Sequence, residues 1–215
     1  MTDTLTSILE SGLVAIIRSD RPQGLFETAN ALADGGVKAL EITLTTPGAL
    51  EAISNLATAS KGKFIVGAGS VLDGESARAA ILSGAEFLVM PNLNTGAIEV
   101  AKRYGKVVCP GALTPTEIVT AQQAGADIIK IFPASSLGPE YIKAVRAPLP
   151  QIRLMPVGGI NLENAADYFR AGAAAVGVGG SLVNSKLISQ GNWQAITDLA
   201  RKYVEAVQSA RRSES

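Results

Sequence analysis

Lys130 stands inside the aliphatic run Asp127–Phe132, which predicts a β-strand. Because alternate strand residues face opposite sides, the isoleucines beside Lys130 should share one face and the lysine should point to the other. A charged, unpaired ammonium in apolar surroundings is costly, so burial lowers its pKa and favours the free amine, which can attack a carbonyl carbon. The pattern predicts a Schiff-base nucleophile. A structural ion pair with Glu41, or a side chain that reaches solvent, is the alternative.

Glu41 and Arg18 are the charged residues that could assist such a lysine. In the run Ala39–Leu44 the apolar residues alternate with Glu41, Thr43 and Thr45. The aliphatic face should pack against helices, which predicts that Glu41 points to the opposite side, where a carboxylate can act as a general acid or base. Arg18 ends another apolar run. Its guanidinium could bind a carboxylate, with simple solvation as the alternative.

The composition of the 215-residue chain excludes several classes of site. There is no histidine, so catalytic triads with an imidazole and zinc sites with histidine ligands are impossible, which argues against a metal-dependent aldolase. Magnesium held by carboxylates alone stays open. The 19 basic and 19 acidic residues cancel, so no charge pattern points to nucleic acid or to a membrane surface. With no signal peptide, no membrane-spanning run and Cys109 as the single cysteine, a cytoplasmic protein is expected.

The elements that must position these side chains form a regular alternation of short aliphatic runs and longer helical segments. This alternation predicts one (β/α)8 TIM barrel spanning residues 1–215, preceded by a short helix at Leu5–Ser11, with an open doubly wound sheet as the alternative. The predicted strands are Leu13–Arg18, Ala39–Leu44, Phe64–Gly69, Phe87–Pro91, Val107–Pro110, Asp127–Phe132, Arg153–Gly158 and Ala174–Gly179.

Glycine pairs follow the last two predicted strands. Gly158-Gly159 ends the seventh strand, and Gly179-Gly180-Ser181 ends the eighth. In TIM barrels the loops after these two strands often bind phosphate, because glycine lets backbone N–H groups approach the anion closely. The glycine pairs therefore predict a phosphate site, with ordinary turns as the alternative.

Six segments of the chain, taken in order, resemble a known enzyme family over essentially the whole length. It is the 2-keto-3-deoxy-6-phosphogluconate (KDPG) and 4-hydroxy-2-oxoglutarate (KHG) aldolase family, which includes a branch acting on the galactonate epimer (KDPGal). The segments that carry the resemblance are Val14–Arg18, Leu40–Thr43, Val66–Leu72, Lys130–Pro133, Pro156–Ile160 and Val178–Ser181.

The resemblance implies a role for each matching residue. Lys130 would be the Schiff-base lysine and Glu41 the general acid and base. Ser70, where the family usually has threonine, would lie beside the bound pyruvyl group, with Pro91 and Phe132 as an apolar wall against it. The residues that would hold the substrate phosphate are Gly158, Gly159, Gly179, Gly180 and Ser181.

The resemblance also implies an activity. The chain would be a class I aldolase of the Entner–Doudoroff pathway, cleaving KDPG, a small 2-oxo acid sugar phosphate, to pyruvate and glyceraldehyde 3-phosphate. Cleavage of KHG to pyruvate and glyoxylate would be a second activity. Members of the family are typically homotrimers that need no metal and no organic cofactor, and the same is expected of this chain.

Two positions depart from the gluconate-type pattern of the family. Thr45 stands where one branch carries an arginine that pairs with the substrate carboxylate, and Arg18 is expected to supply that cation here, as in another branch. Val157 stands where gluconate-specific members usually have threonine, and in this it resembles the galactonate type. The C4 configuration of the substrate is thus left open, with KDPGal aldolase as the alternative function.

Two further classes remain open from the residues alone. A phosphate-binding barrel of another reaction class, such as an isomerase or a thiamin-phosphate-synthase-like transferase, would use the glycine pairs but would give Lys130 no chemical role. A non-catalytic sugar-phosphate-binding protein would bind the same ligands without turnover.

Overall fold

The computed structural model describes residues 3–21 and 23–212, and the predicted domain, residues 1–215, extends slightly beyond these ranges. Its strands are β1 Leu13–Ile17, β2 Ala39–Thr43, β3 Ile65–Gly69, β4 Phe87–Val89, β5 Val107–Cys109, β6 Gly111–Ala112, β7 Ile129–Ile131, β8 Leu154–Pro156 and β9 Val176–Val178. Its α-helices are α1 Thr4–Ser11, α2 Leu25–Asp34, α3 Ala49–Ala59, α4 Gly74–Leu82, α5 Thr95–Arg103, α6 Pro115–Gln123, α7 Gly138–Arg146, α8 Ala165–Arg170, α9 Ser185–Ser189 and α10 Trp193–Arg212. Within these ranges, no helix combines the length and the apolar composition that crossing a bilayer requires.

The parallel strands close into a barrel. They pair in the order β5-β4-β3-β2-β1-β9 in one sheet and β6-β7-β8 in a second. A bridge between Val157 and Gly177 joins the second sheet to β9, and the Lys130 amide donates to the Pro110 carbonyl between β5 and β6. Pro110 has no N–H to donate, and at this residue the predicted fifth strand divides into β5 and β6. The prediction of a (β/α)8 barrel rather than an open sheet is confirmed.

The aliphatic side chains of the strands form two separate cores. Leu40 and Ile42 belong to the larger core between the strands and the helices, whereas Val14 and Ile16 belong to a smaller core inside the barrel. Helix α1, predicted at Leu5–Ser11, adds Ile8 to the inner core and so closes the end of the barrel at which the strands begin. The opposite end, where the strands finish, is left for polar side chains.

A close fit between Gly67 and Phe87 fills part of the barrel interior. A Cβ atom placed on Gly67 would lie 2.5 Å from three atoms of the Phe87 ring, which is completely buried. The ring thus occupies the space that a side chain at position 67 would need. Substrate is therefore excluded from this part of the interior.

We expect Gly67→Ala to lower the free energy of unfolding by about 1–3 kcal/mol, because the added methyl group overpacks the interior against Phe87. Chemical denaturation measures the change. The matched control is Gly96→Ala in α5, where the nearest atom to a Cβ would be 3.4 Å away. This control should leave stability unchanged or raise it by up to about 1 kcal/mol. Equal effects of the two substitutions would contradict the packing argument.

Candidate active site

Lys130 is the middle residue of β7, and its side chain points into the barrel. The flanking Ile129 and Ile131 belong to the outer core, whereas Ile128 packs in the interior. Only 6% of Lys130 is exposed, and its Nζ lies 4.8 Å from the centre of the Phe132 ring. The amine therefore has the inward orientation that strand alternation predicted, with an aromatic face beside it.

Glu41 occupies the corresponding inward position of β2. It is 1% exposed, and its Oε2 atom is buried without a hydrogen-bond partner. Burial raises the pKa of Glu41 above its usual value, and the positive charges of Lys130 and, to a smaller extent, Arg18 partly oppose this shift. A carboxyl group with a raised pKa can both accept and return a proton near the pH at which enzymes work.

Lys130 and Glu41 influence each other electrostatically but are not bonded. The ion pairs within residues 3–21 and 23–212 are five in number, and neither residue takes part in any of them. The alternative of a structural Lys130–Glu41 ion pair is therefore not what the described chain contains. Both groups are almost fully buried in the barrel, and neither is among the residues that line the cavity containing Arg18.

Arg18 follows β1 directly and lies at the mouth of the barrel, with its side chain exposed. It lines a cavity of about 420 Å³ together with Phe132, Val157 and the two glycine pairs. The cavity thus has a cation at one side, an aromatic ring and an apolar side chain in its wall, and exposed backbone on the other side. This composition suits an elongated anionic ligand.

The glycine pairs present backbone rather than side chains to this cavity. A Cβ atom on Gly179 or Gly180 would meet nothing within 4 Å, so the space in front of both residues is open. Gly159 has a φ of 73° and its carbonyl accepts a hydrogen bond of 2.9 Å from the side chain of Asn164, which fixes the loop. Open space before a fixed, glycine-rich backbone is the arrangement that binds phosphate oxygens.

Ser181 differs from the glycines beside it. Its hydroxyl donates a hydrogen bond of 2.6 Å to the carbonyl of Ile160, which ties the loop after β9 to the loop after β8. The hydroxyl hydrogen is thus engaged in holding the two glycine loops together. Ser181 is not among the residues that line the 420 Å³ cavity.

Ser70 and Pro91 lie at the same end of the barrel but do not line the 420 Å³ cavity. Ser70 follows β3 with a φ of 57°, a left-handed conformation that is strained for a residue other than glycine. Pro91 follows β4, and its carbonyl group lies 2.4 Å from the position of a Cβ atom on Gly111. Both residues therefore belong to the rim of the barrel, and Ser70 follows the strand that pairs with the Glu41 strand.

Thr45 lies outside the cavity that Arg18 lines. It is exposed in a neighbouring groove with Pro47 and Leu50, and its hydroxyl donates a hydrogen bond of 3.1 Å to the hydroxyl of Thr43. The residue that stands where one branch of the family has an arginine thus directs its hydroxyl to Thr43.

A buried hydroxyl pair that the sequence did not single out fixes the loop after Arg18. The hydroxyls of Thr43 and Thr46 are 3.1 Å apart, and Thr46 accepts a hydrogen bond of 3.2 Å from the amide of Ser19. Both threonines are almost fully buried. Since Ser19 follows Arg18 in the chain, these hydroxyls hold the backbone from which the guanidinium extends.

Gly69 is a second residue whose importance the sequence did not reveal. It ends β3, faces inward, and pairs with Thr43 across the β2–β3 interface. A Cβ atom at this position would lie 1.8 Å from Oε1 of Glu41. The pairing register brings the two residues together, and register cannot be read from either strand alone.

Neither a metal site nor a cysteine nucleophile is supported within the part of the chain that the structure describes. There, no group of three or more histidine, cysteine, aspartate or glutamate residues is placed to hold a metal ion. Cys109 is buried in the barrel, and burial, together with the negative charges of Asp127 and Glu41, raises the pKa of its thiol. The thiol therefore stays protonated and is a poor nucleophile.

Comparison with known proteins connects this geometry to an enzyme family. The sequence model described as KDPG and KHG aldolase matches residues 5–199. The chain is 39% identical over 197 residues to the 2-dehydro-3-deoxy-6-phosphogalactonate aldolase of Escherichia coli strain K12, covering 91% of this chain and 96% of the relative. It is 35% identical over 205 residues to the 2-dehydro-3-deoxy-phosphogluconate aldolase of Haemophilus influenzae, covering 94% and 96%.

A solved structure of a KDPG aldolase has a fold similar to that of this chain. The KDPG aldolase of Legionella pneumophila, with pyruvate captured at low pH as a covalent carbinolamine intermediate, superposes with a TM-score of 0.86 and is 28% identical. The match covers 93% of this chain and 97% of that protein. Fold, sequence and the family match over residues 5–199 agree, and the chain belongs to the KDPG and KHG aldolase family of carbon–carbon lyases.

Proposed function

We propose that this aldolase is a class I enzyme in which Lys130 forms a Schiff base with KDPG and releases pyruvate and glyceraldehyde 3-phosphate. The observation that carries the proposal is the buried pair of Lys130 and Glu41, which face the same interior without forming an ion pair. The Lys130 amine takes part in none of the ion pairs of the described residues. The pyruvate captured as a covalent intermediate in the Legionella relative supports covalent chemistry. KHG, which yields pyruvate and glyoxylate, is a second substrate of the same chemistry.

The first step is formation of the imine. The free Nζ of Lys130 attacks the C2 carbonyl carbon of the substrate, the carbonyl oxygen takes up protons, and one molecule of water leaves. The product is an iminium ion, which withdraws electrons from the neighbouring carbon atoms. The Phe132 ring, 4.8 Å from Nζ, stabilises this positive charge through its face and limits the access of water.

The second step is cleavage of the C3–C4 bond. The Glu41 carboxylate, directly or through a water molecule, accepts the proton of the C4 hydroxyl, C4 becomes an aldehyde, and the bonding electrons move to the iminium nitrogen. Glyceraldehyde 3-phosphate leaves and an enamine remains on Lys130. Return of the proton to C3 gives the pyruvate imine, and water hydrolyses it to pyruvate and the free lysine. The buried Oε2 atom, which has no partner, is suited to this proton transfer.

Both ends of the substrate have a site in this scheme. Arg18 binds the carboxylate next to the 2-oxo group, where its planar guanidinium can make two hydrogen bonds. The backbone at Gly158-Gly159 and Gly179-Gly180 binds the distal phosphate, and the same cavity contains Arg18 and Phe132. Holding the substrate at both ends fixes its reacting bond relative to Lys130 and Glu41, which is a large part of the catalytic effect.

Observations support both the gluconate-type and the galactonate-type configuration at C4 of the preferred substrate. The galactonate-type relative is 39% identical and the gluconate-type relative 35%, a difference too small to decide. Val157, in the cavity wall, offers no hydrogen bond to a substrate hydroxyl, as in the galactonate type. KDPGal cleavage is therefore the second candidate function, and parallel coupled assays of KDPG, KDPGal and KHG rank the three substrates.

A homotrimer in the cytoplasm is the proposed state of the enzyme, and it rests mainly on the family. Leu50, Leu72 and Leu82 are exposed leucines that a neighbouring subunit could cover. The buried thiol of Cys109 requires no oxidising compartment.

Replacing Lys130 with methionine should abolish aldol cleavage and leave the fold intact, because the side chains have similar length and only the amine is lost. Borohydride reduction in the presence of pyruvate should add the mass of the reduced imine to the unmodified protein and not to Lys130→Met. Lys143→Met, at an exposed helical position, is the matched control and should be labelled normally. Labelling of Lys130→Met at another lysine would overturn the assignment.

Replacing Glu41 with glutamine should retain labelling of Lys130 by pyruvate and slow cleavage by about 10²- to 10⁴-fold. Because burial raises the Glu41 pKa, kcat of the unmodified enzyme should fall as pH decreases, with a midpoint above pH 4.5. This acid limb of the pH profile should be absent in Glu41→Gln. Glu205→Gln, at an exposed position of α10, should keep the limb. An unchanged limb in Glu41→Gln would assign it to another group.

The same pKa shift predicts a dependence of stability on pH. Between 4.5 and the raised pKa, the folded protein retains the Glu41 proton that the unfolded chain has lost. The free energy of unfolding should therefore decrease as pH rises through this window, and Glu41→Gln should remove that part of the decrease. Urea denaturation at a series of pH values measures the free energy of unfolding of the unmodified protein and of Glu41→Gln. Glu205→Gln is again the control.

Replacing Arg18 with glutamine should raise KM for the 2-oxo acid by about tenfold to hundredfold, the value of a charge-assisted hydrogen bond. The effect on kcat should be smaller, because the guanidinium binds the carboxylate before and during the reaction. Arg21→Gln, an exposed neighbour on the same loop, is the control. If both variants keep the KM of the unmodified enzyme, the carboxylate site lies elsewhere.

A further inference from the structure

We propose that Gly69 is a positioning residue: the absence of a side chain at this position sets the direction of the Glu41 carboxyl group. The proposal rests on the proposed function of Glu41 as the proton-transferring group. It concerns a residue that offers no functional group of its own.

The carboxyl group of Glu41 occupies the space in which a side chain at position 69 would begin. A Cβ atom on Gly69 would lie 1.8 Å from Oε1, 2.6 Å from Cδ and 2.7 Å from Cγ of Glu41. Such distances are far below van der Waals contact, so an alanine at 69 and the observed Glu41 conformation cannot coexist. Three consecutive atoms of the side chain would have to move, rather than its flexible end alone.

The backbone of Gly69 cannot retreat to make room. Its carbonyl accepts a hydrogen bond of 2.8 Å from the Leu44 amide, and the residue is paired with Thr43 on the strand that carries Glu41. Ser70, which follows, already has the strained φ of 57°. Because β2 and β3 are joined on both sides of the contact, the displacement falls on the Glu41 side chain.

The direction of the carboxyl group matters because its two oxygens have different surroundings. Oε1 lies against the Gly69 backbone, whereas Oε2 is buried and has no hydrogen-bond partner. A rotation that clears position 69 would displace both oxygens by about 1 Å or more, and a misplacement of that size can cost about 10²-fold in rate. Gly69 therefore selects the conformation in which Oε2 is available for proton transfer.

Pyruvate alone is the probe that isolates this effect, because it needs no aldehyde half. Pyruvate forms the imine with Lys130, and a base then removes one C3 proton while the electron pair moves to the iminium nitrogen to give the enamine. In D2O the base returns a deuteron to C3, and hydrolysis releases deuterated pyruvate. Borohydride trapping measures imine formation, and proton NMR of the pyruvate methyl group measures the exchange that Glu41 would carry out.

Gly69→Ala should slow methyl-proton exchange by about 10²-fold, while imine trapping on Lys130 stays within about twofold of the unmodified enzyme. The acid limb of the exchange rate against pH should also move, since the carboxyl group has new surroundings. Loss of trapping together with exchange would overturn the proposal, because it would mean that Gly69 maintains the whole site rather than Glu41.

The decisive comparison is made in a Glu41→Ala background, where the atoms that oppose a Cβ at position 69 are gone. There, adding Gly69→Ala should change the residual exchange by no more than about twofold. An equal loss in both backgrounds would overturn the proposal, because the methyl group would then obstruct the substrate directly. Thermal unfolding gives a second reading: Gly69→Ala should lower Tm in the unmodified chain and not in Glu41→Ala.

Gly67→Ala is the matched control, since it places the same methyl group two residues earlier on the same face of β3. Its clash is with Phe87, so it should lower Tm and leave exchange within about twofold per folded molecule. A slowing of exchange in Gly67→Ala equal to that in Gly69→Ala would overturn the proposal. If the unmodified enzyme traps no pyruvate on Lys130, the proposed function fails, an outcome distinct from a failure of the Gly69 assignment.

Discussion

Two ionisable side chains, Lys130 and Glu41, lie almost completely buried in one barrel without neutralising each other through an ion pair. Burying ionisable groups is costly, and a bonded pair would lower that cost. The apolar side chains around them in the barrel, such as Val14, Ile16 and Phe87, offer no hydrogen bonds and add to this cost. The result is an unpaired carboxyl group with a raised pKa in the same barrel interior as the unpaired Lys130 side chain.

The rest of the interior is arranged around this pair. Ile8 of α1 and the Phe87 ring pack in the inner core of the same barrel. Beside it, Gly69 leaves space for the carboxyl group, and Phe132 places an aromatic face next to the amine. Above it, the loops after β8 and β9 present open backbone. Each of these features is of little use without the buried pair.

The anchoring of the substrate depends on hydrogen bonds between loops. Thr46 holds the amide after Arg18, and Ser181 joins the two glycine loops through Ile160. These bonds connect segments that are far apart in sequence, and they reduce the freedom of the groups that would bind the carboxylate and the phosphate.

The sequence by itself determined the βα alternation, the inward faces of Glu41 and Lys130, the absence of imidazole chemistry and the resemblance to the aldolase family, because side-chain alternation and residue type are local properties. Barrel closure, the division of the fifth strand at Pro110 and the absence of a Lys130–Glu41 ion pair were decided by the tertiary structure. So were the contact of Gly69 with Glu41 and the direction of Thr45 toward Thr43. These depend on the pairing register and on distances between strands, which no single segment of the chain contains.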